Sequence, residues 1–357
     1  MSHSDLTHAH PHLLPAYLLE KLANHNDPVI SESAANTVFI DEEYHRLHDT
    51  DDSFLFTHRQ SHREDTLSAK HLDHTIYSAD HVLHLPSVLK RAESQPPTDD
   101  IAVDEACDCL GAAFQFYWNV FKRDSIDKLG AALVGTVHYG QNYDNAFWSG
   151  EQMVFGDGDG QILNRFTVAV EVIRHALTHG IIQAEADLAY DTQSGALRQL
   201  ISDVLRILIK QYRRQETTQD SDWLIGAGPF TLNVNAKALH CMSHPGTAYD
   251  DPALGKDPQP AHMKDFVFTH QDTGGVYINS GVANRAFYLF AAALGGFGCE
   301  RAGWIWYDAL CDVRLSCRAD FAAFAYLILT AAQNRYGNPG EEFDTLRRTW
   351  NQVGVAL

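Results

Sequence analysis

Apolar residues recur at intervals of three and four over most of the second half of the chain, which is the spacing of one face of an α-helix. This spacing predicts helices at residues 164–187, 195–214, 282–295, 301–312, 319–335 and 340–352. Before residue 165 the pattern is mixed, with a helix predicted from Asp104 to Arg123 and a strand from Ala131 to His138. We therefore expect an α+β fold with a mixed, β-rich lobe (74–187) followed by a mainly helical lobe (188–357).

The first 73 residues form a third segment, which we call the N-terminal arm. Leu13 to Ala23 predicts a short amphipathic helix, because Pro15 suits a first helical turn and leucines follow at helical spacing. These leucines are Leu18, Leu19 and Leu22. Residues 41–72 are charged and polar, which is typical of a linker or an exposed arm.

Charge and composition exclude several classes of protein. The chain has 46 acidic and 27 basic side chains and a net charge of −19, which disfavours nucleic acid as a partner. No apolar run approaches the roughly 20 residues that a membrane helix needs. The N-terminus is polar and lacks the apolar stretch of a secretory signal, and the six cysteines show no zinc-ribbon spacing. We therefore expect a cytoplasmic protein with reduced thiols and no membrane contact.

Histidines are concentrated near the N-terminus, where 13 of the 20 fall within the first 84 residues. Such a tract is either a metal-binding or pH-sensing segment or simply a polar extension, and its irregular spacing favours the extension. The acidic, glycine-rich run Gly156–Gly160 predicts a hairpin turn, because its spacing is not that of a calcium-binding EF-hand.

His175 and His179 are separated by one helical turn and can close on one metal ion. A metal-dependent hydrolase of this kind also needs a carboxylate beside the first histidine, to accept a proton from metal-bound water. Ala176 occupies that position, and its methyl group accepts no proton.

Several ordered blocks resemble the thermolysin-like metallopeptidases. They are Asn142–Trp148, Gln152–Gly160, the histidine pair, Ser194–Leu197, Ile201–Asp203, Ala238–Ser243 and Asp272–Gly281. The resemblance implies a thermolysin-like two-lobe fold with the histidine helix at the cleft between the lobes. Leu14–Leu19 is similar to the propeptide of the protealysin-like branch, which implies that residues 1–73 are a propeptide-like arm.

The resemblance also implies departures from the family pattern. The general-base Glu of the family falls at Ala176, and its third zinc ligand, also a Glu, falls at Gln199. Three further family residues are replaced: an Asn by Arg198, the oxyanion-binding His by Tyr277 and the carbonyl-binding Arg by His240. The family's Asp203, Asp272, Asn145 and Tyr190 are retained.

Because of these departures, we expect degenerate catalytic residues, weak or absent zinc binding and no cofactor. A metal, if any, would be held by His175, His179 and Gln199. We expect the catalytic set of a new reaction to be Tyr277, His240, His175, His179 and Arg198. Substrate contacts are expected from Asn145, Phe147, Trp148, Tyr190, Arg174 and Asp272.

Three functions remain open at this stage. The first is a protein without peptidase activity whose cleft catalyses acid–base chemistry on a small molecule, as an isomerase, cyclase or lyase would. The second is a pseudoprotease, in which the edge strand 142–148 binds a peptide or a protease partner by strand addition. The third is a residual zinc metallopeptidase. Because the first two involve no self-processing, they predict an arm that stays docked and uncut.

Overall fold

A computed structural model of the chain describes residues 12–48, 72–168, 170–337 and 339–357. The helices in these residues are α1 (Ala16–Ala23), α2 (Pro28–His48), α3 (Ile101–Phe121), α4 (Val170–Glu185), α5 (Thr192–Arg214), α6 (Asp272–Leu294), α7 (Arg301–Leu310), α8 (Phe321–Tyr336) and α9 (Glu341–Gln352). The strands are β1 (His74–Ser78), β2 (Val88–Ala92), β3 (Leu133–Val137), β4 (Ala146–Trp148), β5 (Met153–Phe155), β6 (Leu224–Ile225), β7 (His240–Cys241), β8 (Asp250–Asp251) and β9 (Gly255–Lys256). The predicted α+β fold, with a mixed lobe followed by a mainly helical lobe, is confirmed.

The first lobe is built on a five-stranded sheet in the order β2-β1-β3-β5-β4. Strands β1, β3 and β5 run parallel to one another, whereas β2 and β4 pair antiparallel at the two edges. The inner strands carry few exposed side chains because α3 covers one face, and Ile76 and Val137 are fully buried. The carboxyl ends of the three parallel strands therefore meet at one edge of the sheet.

Helix α4 connects the sheet to the second lobe and lies against β4. Gly180 permits this approach, since a Cβ atom there would lie 3.0 Å from the ring of Trp148. The Tyr117 hydroxyl on α3 and the Thr178 hydroxyl on α4 are 3.0 Å apart, which links the two helices. The lobe thus holds the histidine helix between α3 and the edge strand.

The second lobe packs around α5, whose side chains from Ser194 to Gln211 are buried. Helix α6 is its main neighbour and begins ten residues earlier than predicted. A kink near its start explains the difference, because Gly274 and Gly275 adopt positive φ angles of 82° and 83° and interrupt the helical spacing.

The arm contains two helices, and α2 extends to His48. The expectation of a linker from residue 41 is wrong as far as residue 48, while residues 49–71 lie outside the described ranges. Side chains of α2 hold it on the first lobe: Ser33 donates to the Asn142 carbonyl at 3.0 Å, and Thr37 accepts from the Asp144 amide at 2.8 Å. Among the described residues, none of the helices has the length and apolar character needed to span a membrane.

Candidate active site

The outer edge of β4 is covered by residues 12–14 of the arm. His12 and Phe147 form an antiparallel bridge, and the Leu13 amide donates to the Ala146 carbonyl at 2.8 Å. The Leu14 amide donates to Asn145 Oδ1 at 2.9 Å. The arm therefore adds a short strand to the sheet edge, which is how an extended peptide binds a free edge.

Three predicted substrate contacts lie on or beside β4. Asn145, Phe147 and Trp148 are all buried. Asn145 and Phe147 touch the arm directly, whereas the Trp148 indole donates to Gln183 Oε1 at 2.9 Å and faces α4. The groove is the space between β4 and Tyr277 in which arm residues 12–14 lie. Asn145 and Phe147 are placed to meet a chain in this groove, and Trp148 supports the strand from behind.

A second group of predicted residues converges opposite β4. The Tyr277 hydroxyl donates to the backbone carbonyl of His12. The His240 ring stacks on Tyr277 with a centroid distance of 6.2 Å, and the Tyr190 ring meets Tyr277 edge-on at 6.5 Å. Arg198 lies 5.8 Å from the Tyr190 ring centroid. The structure therefore brings Tyr277, His240, Tyr190 and Arg198 together around the arm backbone.

Burial determines the charge states in this group. It raises the pKa of Tyr277 and of Tyr190 well above the ordinary value for a phenol. It also lowers the pKa of Arg198, whose Nη1 donates to the Leu188 carbonyl at 3.2 Å. The Tyr277 phenol therefore keeps its proton at neutral pH and acts as a hydrogen-bond donor to a carbonyl.

His240 is also buried, and neither of its ring nitrogens has a hydrogen-bond partner within the described ranges. Asp272, a predicted substrate contact, instead holds the start of α6: its Oδ2 accepts from the Ile278 amide at 2.9 Å. Burial raises the pKa of Asp272 to about 7.

The histidine pair lies on α4, which packs against α5. Residues 175 and 179 are one turn apart on this helix, and His179 is fully buried. The side chains of residues 169–176, among them Arg174, His175 and Ala176, lie outside the described part of the structure. For Arg174 and His175, the structure therefore gives the position along α4 and not the direction of the side chain.

Gln199 on α5 is the third candidate ligand. Its Nε2 donates to Asp203 Oδ1 at 3.1 Å, which orients the amide. Its Oε1 is buried and has no hydrogen-bond partner among the described residues. Asp203 Oδ2 accepts in turn from Asn284 Nδ2 at 2.8 Å. A buried carbonyl oxygen without a donor is costly unless something else binds it, so this atom is available to a cation.

The donor set can accommodate a divalent metal. Two imidazoles from α4 and the amide oxygen of Gln199 would supply three ligands, the number that a catalytic zinc site takes from its protein. The amide oxygen is neutral and binds zinc less strongly than a carboxylate.

Sequence reasoning missed the contacts that hold the arm in place. Asp41 on α2 accepts from the Tyr143 hydroxyl at 2.5 Å and from Asn145 Nδ2 at 3.2 Å. Its Oδ2 lies 3.3 Å from His12 Nδ1, and His12 Nε2 lies 3.1 Å from His45 Nε2. Asp41 lies in a run of charged residues where nothing in the local pattern distinguishes it.

Comparisons with known proteins match nearly the whole chain. Residues 38–183 match the family described as "Thermolysin metallopeptidase, catalytic domain", and residues 186–355 match "Thermolysin metallopeptidase, alpha-helical domain".

Two relatives and one solved structure illustrate the match. An extracellular metalloprotease of Pectobacterium carotovorum subsp. carotovorum is 50% identical, covering 84% of this chain and 86% of its own. Protease PrtS of Photorhabdus sp. (strain Az29) is 38% identical, covering 97% and 92%. The precursor of protealysin, a metalloproteinase from Serratia proteamaculans, superposes with a TM-score of 0.87 at 44% identity, covering 97% of this chain and 100% of its own.

These findings correct several expectations. The predictions of a protein without peptidase activity and of a pseudoprotease are contradicted, because relatives that match most of the chain are named proteases. The expectation of no cofactor is contradicted too, since the matched family is one of zinc-dependent metallopeptidases. The cytoplasmic expectation conflicts with relatives that are named extracellular. The error was to give single substitutions, above all Ala176, more weight than the groove, the histidine pair and the arm. All three of these features are present in this chain.

The family matches cover both lobes, and the fold, the groove and the docked arm agree with them. This chain belongs to the thermolysin-like metallopeptidase family.

Proposed function

We propose that this protein is an exported zinc-dependent peptidase with slow turnover, held in the structure in its arm-docked form. One observation carries the proposal: the arm lies in the groove as an extended chain, paired with β4 and bonded to Tyr277. A groove that binds the backbone of its own arm in this way has the geometry to bind a peptide. We therefore propose a peptide as the partner in the cleft. The extracellular location follows the names of the relatives.

Backbone pairing would position the substrate. The Ala146 carbonyl and Asn145 Oδ1 now accept from the Leu13 and Leu14 amides, and a substrate would satisfy the same acceptors once the arm leaves. Such main-chain bonds supply affinity with little dependence on sequence. The side chains beside the arm, among them Phe147, Tyr190 and His240, would then select the side chains of the substrate.

Tyr277 is the residue that we propose as the carbonyl ligand. It already donates to a peptide carbonyl, that of His12, and burial keeps its phenol protonated. A donor aimed at a carbonyl stabilises the negative charge that develops on its oxygen during hydrolysis. His240 stacks on Tyr277, and its ring nitrogens could bond a second group of the substrate.

His175, His179 and Gln199 are the residues that we propose to hold zinc. When bound, zinc polarises the substrate carbonyl and lowers the pKa of a coordinated water. Asp203 orients the Gln199 amide so that Oε1 remains free.

The slow turnover that we propose is inferred from Ala176. A positioned general base contributes about 10²- to 10⁴-fold to a rate, and this position has no proton acceptor. Proton transfer would then pass directly to solvent water.

The test is hydrolysis of an internally quenched peptide by the full chain, with and without a chelator. We expect slow cleavage that the chelator stops and added zinc restores. His179→Ala should abolish the activity, whereas the matched variant His84→Ala, at an exposed histidine, should retain it. Cleavage that survives both the chelator and His179→Ala would refute a metal-dependent reaction, and no cleavage at any enzyme concentration would refute peptidase function.

A further inference from the structure

Three side chains converge where the parallel strands of the first lobe end. His81 lies three residues after β1, His138 follows β3 directly, and Asp157 lies two residues after β5. Because β1, β3 and β5 are parallel neighbours, their carboxyl ends share one edge of the sheet. None of these three residues is among the ligands that we propose for the catalytic zinc.

The distances within this cluster are close to those of a set of metal ligands. Both oxygens of Asp157 lie near His138 Nδ1, at 2.8 and 2.9 Å. His81 Nδ1 lies 3.4 Å from Asp157 Oδ2. One ligand atom from each residue falls within 4.8 Å of the other two. Around a tetrahedral metal with bonds of about 2.0–2.1 Å, neighbouring ligand atoms are about 3.3–3.5 Å apart. The His81–Asp157 distance already fits, and the His138–Asp157 distance needs to open by about half an ångström.

A fourth residue orients the central imidazole. Asp100 Oδ2 lies 3.0 Å from His138 Nε2. The other oxygen of Asp100 caps α3 by accepting the Ala102 amide at 3.0 Å, so the carboxylate is fixed by the helix. A metal-binding histidine usually donates its second ring N–H to a carboxylate in this manner. Asp157 accepts from the other ring nitrogen, so a metal would take the place of the Nδ1 proton while Asp100 keeps the Nε2 proton and fixes the ring.

The nearby cations are bound elsewhere. Arg165 makes a two-pronged ion pair with Glu105, at 3.0 Å from Nε and 2.7 Å from Nη2. Lys90 is 3.7 Å from Asp80. Two carboxylates, those of Asp100 and Asp157, therefore face the imidazoles.

We propose that His81, His138 and Asp157 form a second metal site for a divalent first-row transition ion such as Zn²⁺ or Co²⁺. Two imidazole nitrogens and one carboxylate oxygen suit these ions better than Ca²⁺ or Mg²⁺, which prefer oxygen ligands alone. A fourth position is left for water. The ion would join the loops that follow three strands and so stabilise the first lobe.

The experiment compares Co²⁺ binding to the full chain and to three single variants, using equilibrium dialysis with elemental analysis. His81→Gln removes an exposed ligand and should lose one bound ion relative to wild type. His84→Gln changes an exposed histidine in the same loop but outside the cluster, and it should lose none. Asp100→Asn keeps a helix-capping side chain and should weaken that ion by about 10- to 100-fold.

A second readout is the thermal midpoint, Tm, of the apo and Co²⁺-loaded proteins. Excess Co²⁺ should raise Tm less in His81→Gln than in wild type and His84→Gln, because this variant lacks one of the ions that stabilise the fold. If His81→Gln and Asp100→Asn match His84→Gln in both stoichiometry and affinity, the cluster is a hydrogen-bonded group of histidines and carboxylates only, and the proposal fails.

Discussion

The groove and the candidate zinc centre lie side by side but differ in how well their polar groups are satisfied. In the groove, the arm amides of Leu13 and Leu14 and the carbonyl of His12 all have partners. Between α4 and α5, the Gln199 Oε1 is buried without a partner among the described residues, and Ala176 offers no proton acceptor. The arm groups named here thus all have partners in the groove, whereas one buried acceptor of the proposed zinc centre has none among the described residues.

The difference shows that binding and chemistry are separable in this fold. Under the proposed function, the Ala146 carbonyl, the Asn145 side chain and Tyr277 would each bind a peptide, so loss of one bond would leave the others in place. Hydrolysis depends on a few side chains at defined positions, so one substitution changes it greatly. The predictions below test the centre first and then the groove.

The largest effect is expected from rebuilding the centre. The double variant Ala176→Glu/Gln199→Glu supplies a proton acceptor and a charged ligand, and it should raise kcat/KM for the quenched peptide by about 10²- to 10⁴-fold. The measurement is initial rate at saturating zinc.

The matched control for this gain is Ala176→Gln/Gln199→Glu, which has the same side-chain size but no base at residue 176. It should show little of the increase. An equal increase in both variants would mean that residue 176 is not the position of the base. No increase in either variant would mean that the groove does not serve peptide hydrolysis.

The next largest effect is expected from the apolar side of the arm. Leu18 on α1 is buried, and Leu18→Ala should cost about 2–5 kcal/mol of the interactions that hold the arm. Hydrogen exchange of the α1 amides should then become at least about 10-fold faster. Glu20→Ala, on the exposed face of the same helix, should leave the exchange unchanged. Equal protection in both variants would show that Leu18 does not secure the arm.

A smaller effect is expected from Tyr277→Phe. The variant removes the bond to the His12 carbonyl, worth about 0.5–1.5 kcal/mol, and should speed exchange in the arm by about 2- to 10-fold. It should also lower kcat, because Tyr277 is the proposed carbonyl ligand. Tyr249→Phe removes the 3.0 Å contact to the Tyr17 hydroxyl and should loosen the arm without lowering kcat. A normal kcat in Tyr277→Phe would remove that residue from the chemistry.

A pH dependence of arm docking is expected to originate at Asp41. Burial raises the pKa of this carboxyl from 3.8 to about 7 in the docked arm, so docking takes up a proton. Docking then weakens as pH rises through that interval. The neighbouring His12 acts in the opposite direction, since burial lowers its pKa from 6.5 to about 3. The wild-type profile is the sum of these effects.

The variant Asp41→Asn isolates the carboxyl. Arm docking is measured by hydrogen exchange of the α1 amides. Between pH 4 and pH 7, docking of the wild-type arm should weaken relative to docking of the Asp41→Asn arm. Parallel profiles for the two proteins would show that Asp41 does not change its protonation on docking.

Much of the fold could be predicted from local spacing. Helices α7, α8 and α9 begin and end within about two residues of the predicted positions, because their apolar stripes and caps are encoded within each segment. The start of α6 was missed because the kink at Gly274 and Gly275 breaks the periodicity. Helix α2 was not predicted, and its last eight residues, 41–48, lie in the charged segment that was expected to be a linker or an exposed arm.

The candidate site was predicted only in part. Family resemblance identified Asn145, Tyr190, His240 and Tyr277, and the structure places all four around the arm backbone. It did not predict Asp41, because that residue acts through partners about 100 positions away. The functional inference failed for another reason: loss of a base at Ala176 was taken as loss of the whole activity.

The sequence by itself determined the two-lobe fold, the helix that carries the histidine pair and the identity of the side chains at each motif position, because these depend on local spacing and residue type. Tertiary structure alone decided where the arm lies and which distant groups meet. His81, His138 and Asp157 come together only because β1, β3 and β5 pair in parallel, and the arm occupies the groove only because β4 leaves an edge free to pair. Pairing between strands is a long-range interaction, so no local pattern in the chain reports it.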